Sequence, residues 1–182
     1  MSRRLIVVLL LGLSVSVVRA QPERFYVKLY GIVTEHWSGE PMKGVLVRVL
    51  KDSLPLDQNV TGRSGRYAFY LDRGAVYTVW YSKEGMVTKH VRIDATQVPV
   101  FPDVPFYEMD VQVTLFPWIE GIDYSIFDRP LGLASYKHSV RTLSWDVEYT
   151  EQLRPILAEK MNEYEKLVKH YRPKRTARPD RL

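Results

Sequence analysis

The chain is 182 residues long, with 46% hydrophobic and 26% charged residues, no cysteine and a net charge of +5. That composition belongs to a folded globular chain and excludes a collagen-like, low-complexity or disulfide-stapled one. Without cysteine there is also no lipid attachment at a cysteine.

The first element read in chain order is a leader. Ser2-Arg3-Arg4 forms a positive n-region, Leu5 to Val18 an apolar stretch, and Val18-Arg19-Ala20 a small-residue cleavage site. This predicts a signal peptide over residues 1–20 and a mature chain starting at Gln21. The apolar run is shorter than the roughly 18 to 20 residues a spanning helix needs. Residues 1–20 hold three arginines and no acid, so the net charge of the remainder falls to about +2. An exported chain without cysteine points to a bacterial periplasm or cell surface.

Strict alternation dominates residues 21–116 and predicts a sandwich of short antiparallel strands. Phe25, Val27, Leu29, Gly31 and Val33 share one face; Val45, Val47 and Val49 share the next. Tyr67-Phe69-Leu71, Tyr77-Val79-Tyr81, Val87-Val91-Ile93 and Met109-Val111-Val113-Leu115 continue the pattern. Between them Gly39, Pro41, Gly44, Gly65, Gly74 and Gly85 mark structural turns. A phosphate-cradling role for these glycines would need a following helix, and none is predicted there. Thr96 to Pro105, with three prolines, reads as an extended crossover.

Residues 117–150 form an irregular extension in which Leu131–Tyr136 and Val140–Val147 can pair as a hairpin. Thr150 is then the expected N-cap of an amphipathic helix over 151–172. Leu153, Leu157, Met161, Tyr164 and Val168 fall on one face of it, and Pro173 ends it. Residues 173–182 read as a basic disordered tail that includes Lys174, Arg175 and Arg178.

Several segments together resemble the carboxypeptidase regulatory-like domain. They are Gly31-Ile32-Val33-Thr34, Gly39-Glu40-Pro41-Met42-Lys43-Gly44-Val45-Leu46-Val47, Thr61-Gly62-Arg63-Ser64-Gly65-Arg66-Tyr67, Tyr77-Thr78-Val79 and Lys83-Glu84-Gly85-Met86. The resemblance spans roughly residues 25–95 and departs from the pattern at Gly62, where an acidic residue is usual. It implies a mainly β, antiparallel seven-stranded transthyretin-like β-sandwich, here followed by a C-terminal α-helix. Residues 116–149 are similar to the C-terminal part of exported Bacteroidetes proteins that carry such a sandwich. Members of the family are usually non-catalytic and occur beside enzymes, in adhesins, in uptake receptors and in envelope or secretion machinery.

Chemistry-bearing residues are sparse. His36, His90, His138 and His170 are spread over separate elements, so neither a metal nor another cofactor is expected, and His90 is placed on the solvent face of its strand. Gly62-Arg63-Ser64-Gly65 is one residue short of a nucleophile elbow and reads as a turn. Glu108, Asp110, Glu120 and Asp123 could converge as glycosidase carboxylates, though no motif singles them out. A lysine–asparagine cross-link is not expected either: Lys28 lies on an outer strand face, and Asn59 and Asn162 are the only asparagines.

The remaining candidates are aromatic. Tyr26, Tyr30 and Trp80, with Ile32, lie opposite the core faces of their strands. The first reading covers them with the helix or the 117–149 segment; the second leaves a platform that stacks on sugars or seats a protein. The expected function is therefore an exported, non-enzymatic interaction or structural module of the cell envelope, with a carbohydrate-binding module as the alternative. Its expected partner is another envelope protein, with polysaccharide or anionic membrane reached through the basic tail and no role for nucleic acid.

Overall fold

The computed structural model describes residues 26–100 and 104–171. The predicted signal peptide, the Gln21 start, Phe25 and the tail residues Lys174, Arg175 and Arg178 lie outside them. Two sheets face each other across a core built from the inward residues of all the described strands but one. The first holds β4 (Arg66–Asp72), β1 (Tyr26–Glu35) and β7 (Phe106–Asp110) in that order, with β8 (Val113–Leu115) also paired to β1. The second runs β10 (Thr142–Trp145), β9 (Leu133–Lys137), β6 (Lys89–Asp94), β5 (Val76–Ser82), β2 (Leu46–Lys51), β3 (Leu54–Val60).

The chain is thus the mainly β sandwich with a C-terminal helix that the alternation leads to. It departs from the antiparallel seven-stranded form in two ways. Both sheets are mixed: β7 and β8 run parallel to β1, and β9 runs parallel to β6. The second sheet also carries a strand the alternation did not reveal, β3, all seven of whose residues are exposed. With neither face buried, the alternation of Leu54, Leu56 and Val60 is broken at Gln58 and carries Pro55, too weak a period to mark a strand. The hairpin predicted after residue 131 is present as β9 and β10.

The alternating residues fill the core. Val27, Leu29, Val33, Val45, Val47, Val49, Tyr77, Val79, Tyr81 and Ile93 are fully buried. One end of the sandwich is closed by the motif segments. Thr61 Oγ1 donates to the Met42 carbonyl (2.6 Å) and accepts from Val45 N–H (3.0 Å), while Val33 N–H donates to the Gly65 carbonyl (2.9 Å). Gly39, Gly44, Gly65, Gly74 and Gly85 all have positive φ, and Pro41 bridges to Thr34. At Gly62, by contrast, an added Cβ would meet open space, so glycine is not required there sterically and an acidic side chain would fit.

Helix α1 (Val147–Tyr171) begins four residues before the expected start. Asp146, not Thr150, is its cap: the Asp146 carboxylate accepts from Tyr149 N–H at 3.0 Å, and Thr150 Oγ1 instead donates back to the Asp146 carbonyl at 2.9 Å. The helix docks through a second core of Val87, Phe116, Ile126, Phe127, Leu153 and Tyr164. Tyr164 is its main anchor, stacked on Trp37, set edge-on to Phe116 and donating to the Pro117 carbonyl at 2.9 Å. Leu157 and Met161 are only partly buried.

Leu153→Ala is therefore expected to cost about 2 to 5 kcal/mol, and Leu157→Ala and Met161→Ala clearly less. Urea melts of the three variants give the order. Gly65→Val is expected to cost about 1 to 3 kcal/mol. Its φ is +65°, and a Cβ there would press on the Val33 carbonyl and the Met42 nitrogen. An unchanged denaturation midpoint would show that the turn tolerates a side chain.

Candidate functional site

The three aromatic candidates do not share a surface. Tyr30 sits on the outer face of the first sheet, whereas Trp80 is on the outer face of the second. Tyr26 occupies the position of β1 opposite Asp72 and Phe106, but its side chain lies outside the described part. Trp80 is partly covered and stacks on His90 with ring centroids 4.1 Å apart. On the outer face of the first sheet Lys28, Tyr30 and Ile32 are half-buried, and Tyr70 and Phe106 are accessible.

That accessible face is regular. The register sets Tyr70, Lys28 and Glu108 in one row, Ala68, Tyr30 and Asp110 in the next, and Arg66 beside Ile32 after that. Tyr70 is 64% and Phe106 45% exposed. The Lys28 ammonium donates to Glu108 at 2.8 Å and lies 5.1 Å from the centroid of the Tyr30 ring. Asn59, Arg66, Asp110 and Gln112 border a shallow depression of about 650 Å³ over Tyr30. Aromatic rings beside planar amide, guanidinium and carboxylate groups can take a polyhydroxylated ligand or the side chains of another protein.

A second feature escaped the sequence reading. Lys89 faces inward at the end of β6, opposite Tyr81, and is only 7% exposed. Its Nζ donates to the Thr114 carbonyl at 2.6 Å and lies 4.7 Å and 5.4 Å from the Phe116 and Phe127 ring centroids. No carboxylate pairs with it among the described residues. Burial alone pulls its pKa down from near 10.5 to about 8. Lys89 shares the parity of Val91 and Ile93, so alternation applied to every residue type would have found it.

Beside Lys89, a groove of about 520 Å³ opens between β6 and the β7–β8 connection, closed by the start of α1. Its apolar wall includes Tyr81, Val91, Val113, Leu131 and Trp145, and its polar residues include Asp110, Gln112, Thr150, Glu151 and Arg154. Arg154 is held by Glu151 at 2.7 Å.

His90 does lie on the outer face of β6, but it is 5% exposed rather than solvated, because Trp80 and the chain around Phe127 and Leu131 cover it. Burial lowers its pKa, opposed by Asp128 and a hydrogen bond to the Phe127 backbone, and its Nδ1 has no partner. The other candidates stay apart. Glu108 is bound to Lys28, Asp123 caps Ser125, and among the described residues no three His, Asp or Glu side chains gather around a point where a metal ion could sit. The buried lysine is Lys89, not Lys28, and its hydrogen bond goes to a backbone carbonyl, not to an asparagine.

No protein-family model matches the chain, and no curated protein matches it. Among solved structures it is similar to catechol 1,2-dioxygenase from Acinetobacter at 14% identity, over 62% of this chain and 59% of that one, with a TM-score of 0.40. It is similar to 5-hydroxyisourate hydrolase from Klebsiella pneumoniae at 13% identity, over 50% of this chain and 92% of that one (TM-score 0.37). A Bacteroides fragilis protein described as membrane-associated is 11% identical over 56% of this chain and 31% of that one (TM-score 0.35). None of these likenesses brings an activity to this chain.

Lys89→Met is expected to stabilise the protein by on the order of 1 kcal/mol near neutral pH, since it removes a buried charge with no carboxylate partner at the loss of one hydrogen bond and two ring contacts. The folded-state pKa lies below the unfolded one, so the cost of the lysine is full below about 8 and fades as pH rises toward 10.5. Melting both proteins across that range should show the advantage of the methionine shrinking with pH. A methionine variant less stable at every pH would mean that the Thr114 hydrogen bond outweighs the buried charge.

Proposed function

We propose that the chain is an exported, non-enzymatic interaction module of the bacterial cell envelope, related to the carboxypeptidase regulatory-like sandwiches. It binds through the outer face of the β4-β1-β7 sheet. One observation carries this reading: the second sheet has His90 buried and Trp80 partly covered on its outer face, whereas the first leaves Tyr70 and Phe106 open to solvent. An accessible row of aromatic and ion-paired side chains on a rigid sheet suits recognition. The basic-then-apolar pattern predicted as a leader over residues 1–20 supports export, and the motif-bearing turns support the family kinship. Among the described residues no helix is long and apolar enough to cross a membrane.

A second reading, a carbohydrate-binding surface, is favoured by one detail. Tyr30 lies under the Lys28 ammonium and is bordered by Asn59, Arg66, Asp110 and Gln112, a set of planar hydrogen-bonding groups around a ring. Sugars present an apolar face to such a ring and hydroxyls to its neighbours.

Retention of the purified protein on envelope fractions of the source bacterium tests both readings. The double variant Tyr30→Ala, Tyr70→Ala should lower retention by about tenfold, as loss of anchoring aromatics does at interfaces. If protease treatment of the envelope abolishes retention, the partner is a protein. If periodate oxidation does so, it is a glycan. Equal retention of wild type and double variant would remove this face from consideration.

A further inference from the structure

The groove over Lys89 shares Asp110 and Gln112 with the border of the aromatic face, but its chemistry is different. Lys89 is a buried cation with three N–H donors, one of which is used by the Thr114 carbonyl. No second oxygen acceptor lies within hydrogen-bonding distance of it among the described residues. Thr114, whose carbonyl holds the ammonium, is itself a wall residue of the groove, as is Lys89. The strand it belongs to, β8, is three residues long and pairs only with β1, so its other edge faces the groove.

We propose that this groove binds a monocarboxylate with a short apolar body, its carboxylate completing the coordination of the Lys89 ammonium. The two unused N–H donors match the two oxygens of a carboxylate. Tyr81, Val91, Val113, Leu131 and Trp145 supply the apolar wall along which a hydrocarbon chain or an apolar side chain would lie. A dianion such as phosphate fits less well. Asp110 and Glu151 also border the groove, and the Arg154 charge is already engaged by Glu151 at 2.7 Å. One buried cation thus has a single negative charge to neutralise, and the acidic neighbours disfavour a second. The volume, about 520 Å³, lies within the range of small-ligand sites.

Such a carboxylate can belong to a free organic acid or to the C-terminus of a peptide. Titration calorimetry on the purified protein separates the two sources. The probes are octanoate against octanamide, and acetyl-Leu-Leu with a free carboxylate against its C-terminal amide. At least one acid should bind about tenfold tighter than its amide, and Lys89→Met should erase that preference. If only octanoate shows it, the source is a free acid; if the dipeptide acid shows it, the source is a chain end.

A readout on the wild-type protein makes the assignment independent of any variant. Pairing with a carboxylate raises the lysine's pKa from about 8, so the complex should take up a fraction of a proton per ligand near pH 8 and almost none near pH 6. The other charged groups around the groove are Asp110 on β7, Glu151 and Arg154 on α1, and His90 on the opposite face of β6. Burial lowers the His90 pKa below its ordinary value, so His90 stays neutral between about pH 7.5 and 8.5. The proposal is overturned if neither acid outbinds its amide, if Lys89→Met keeps the preference, or if binding near pH 8 takes up no proton.

Discussion

The sandwich depends on one crossing at its middle, where β1, β4, β5 and the link between β7 and β8 meet. Val111 N–H donates to the Tyr30 carbonyl at 2.9 Å, and the Val111 carbonyl folds over Gly31 so closely that a Cβ there would collide with it. Tyr67 donates its hydroxyl to that carbonyl at 2.6 Å, and the Tyr81 hydroxyl lies 2.8 Å from the Tyr67 oxygen. The Tyr67 proton is committed to the carbonyl, so Tyr81 must be the donor to Tyr67. Tyr67 belongs to the first sheet and Tyr81 to the second, which makes this chain of hydrogen bonds a polar tie through the core. Burial raises the pKa of both phenols, so they stay neutral and the tie is intact at any ordinary pH.

The same crossing explains why β7 and β8 are two strands rather than one. Asp110 pairs with Tyr30 and Val113 with Val33, the same offset on either side of the break. The parallel ladder resumes in register once the chain has passed Gly31. A side chain at residue 31 would collide with the Val111 carbonyl and the Tyr67 hydroxyl that it accepts from. The glycine that looked like one more core-facing position of β1 is thus the residue that lets the Val111 carbonyl reach the Tyr67 hydroxyl.

Much of the frame could be read from the sequence because burial writes a period of two into every strand with one wet and one dry face. Tyr77, Val79 and Tyr81 are fully buried for that reason. What stayed hidden had no such period. β3 is exposed on all residues, so Leu54 and Leu56 carry no sign of pairing. The parallel placement of β7 beside β1 joins segments some 80 residues apart and has no local pattern to announce it. The helix start was misplaced because Asp146 and Thr150 are both good caps, and only the hydrogen bond to Tyr149 decides between them. For the candidate sites, alternation put Tyr30 and Trp80 outward but could not say that they lie on different sheets. It also passed over Lys89, because a lysine at an inward position contradicts the usual rule about charge.

That contradiction is informative. Lys89 spends its length among Tyr81, Val91, Phe116 and Phe127, a setting in which methionine or leucine would pack without a charge to bury. The hydrogen bond to Thr114 caps the edge of β8 and is charge-assisted, worth about 1.5 to 3 kcal/mol, but with the Phe116 and Phe127 rings it does not offset the burial that pulls the lysine's pKa down to about 8. The closing turns, the tyrosine tie and the Tyr164 anchor all satisfy their polar atoms in full view of the fold's needs, whereas Lys89 leaves donors unused beside an open groove. A residue that costs the fold more than it returns, at the wall of a cavity, is better explained by what the cavity receives than by what the sandwich requires.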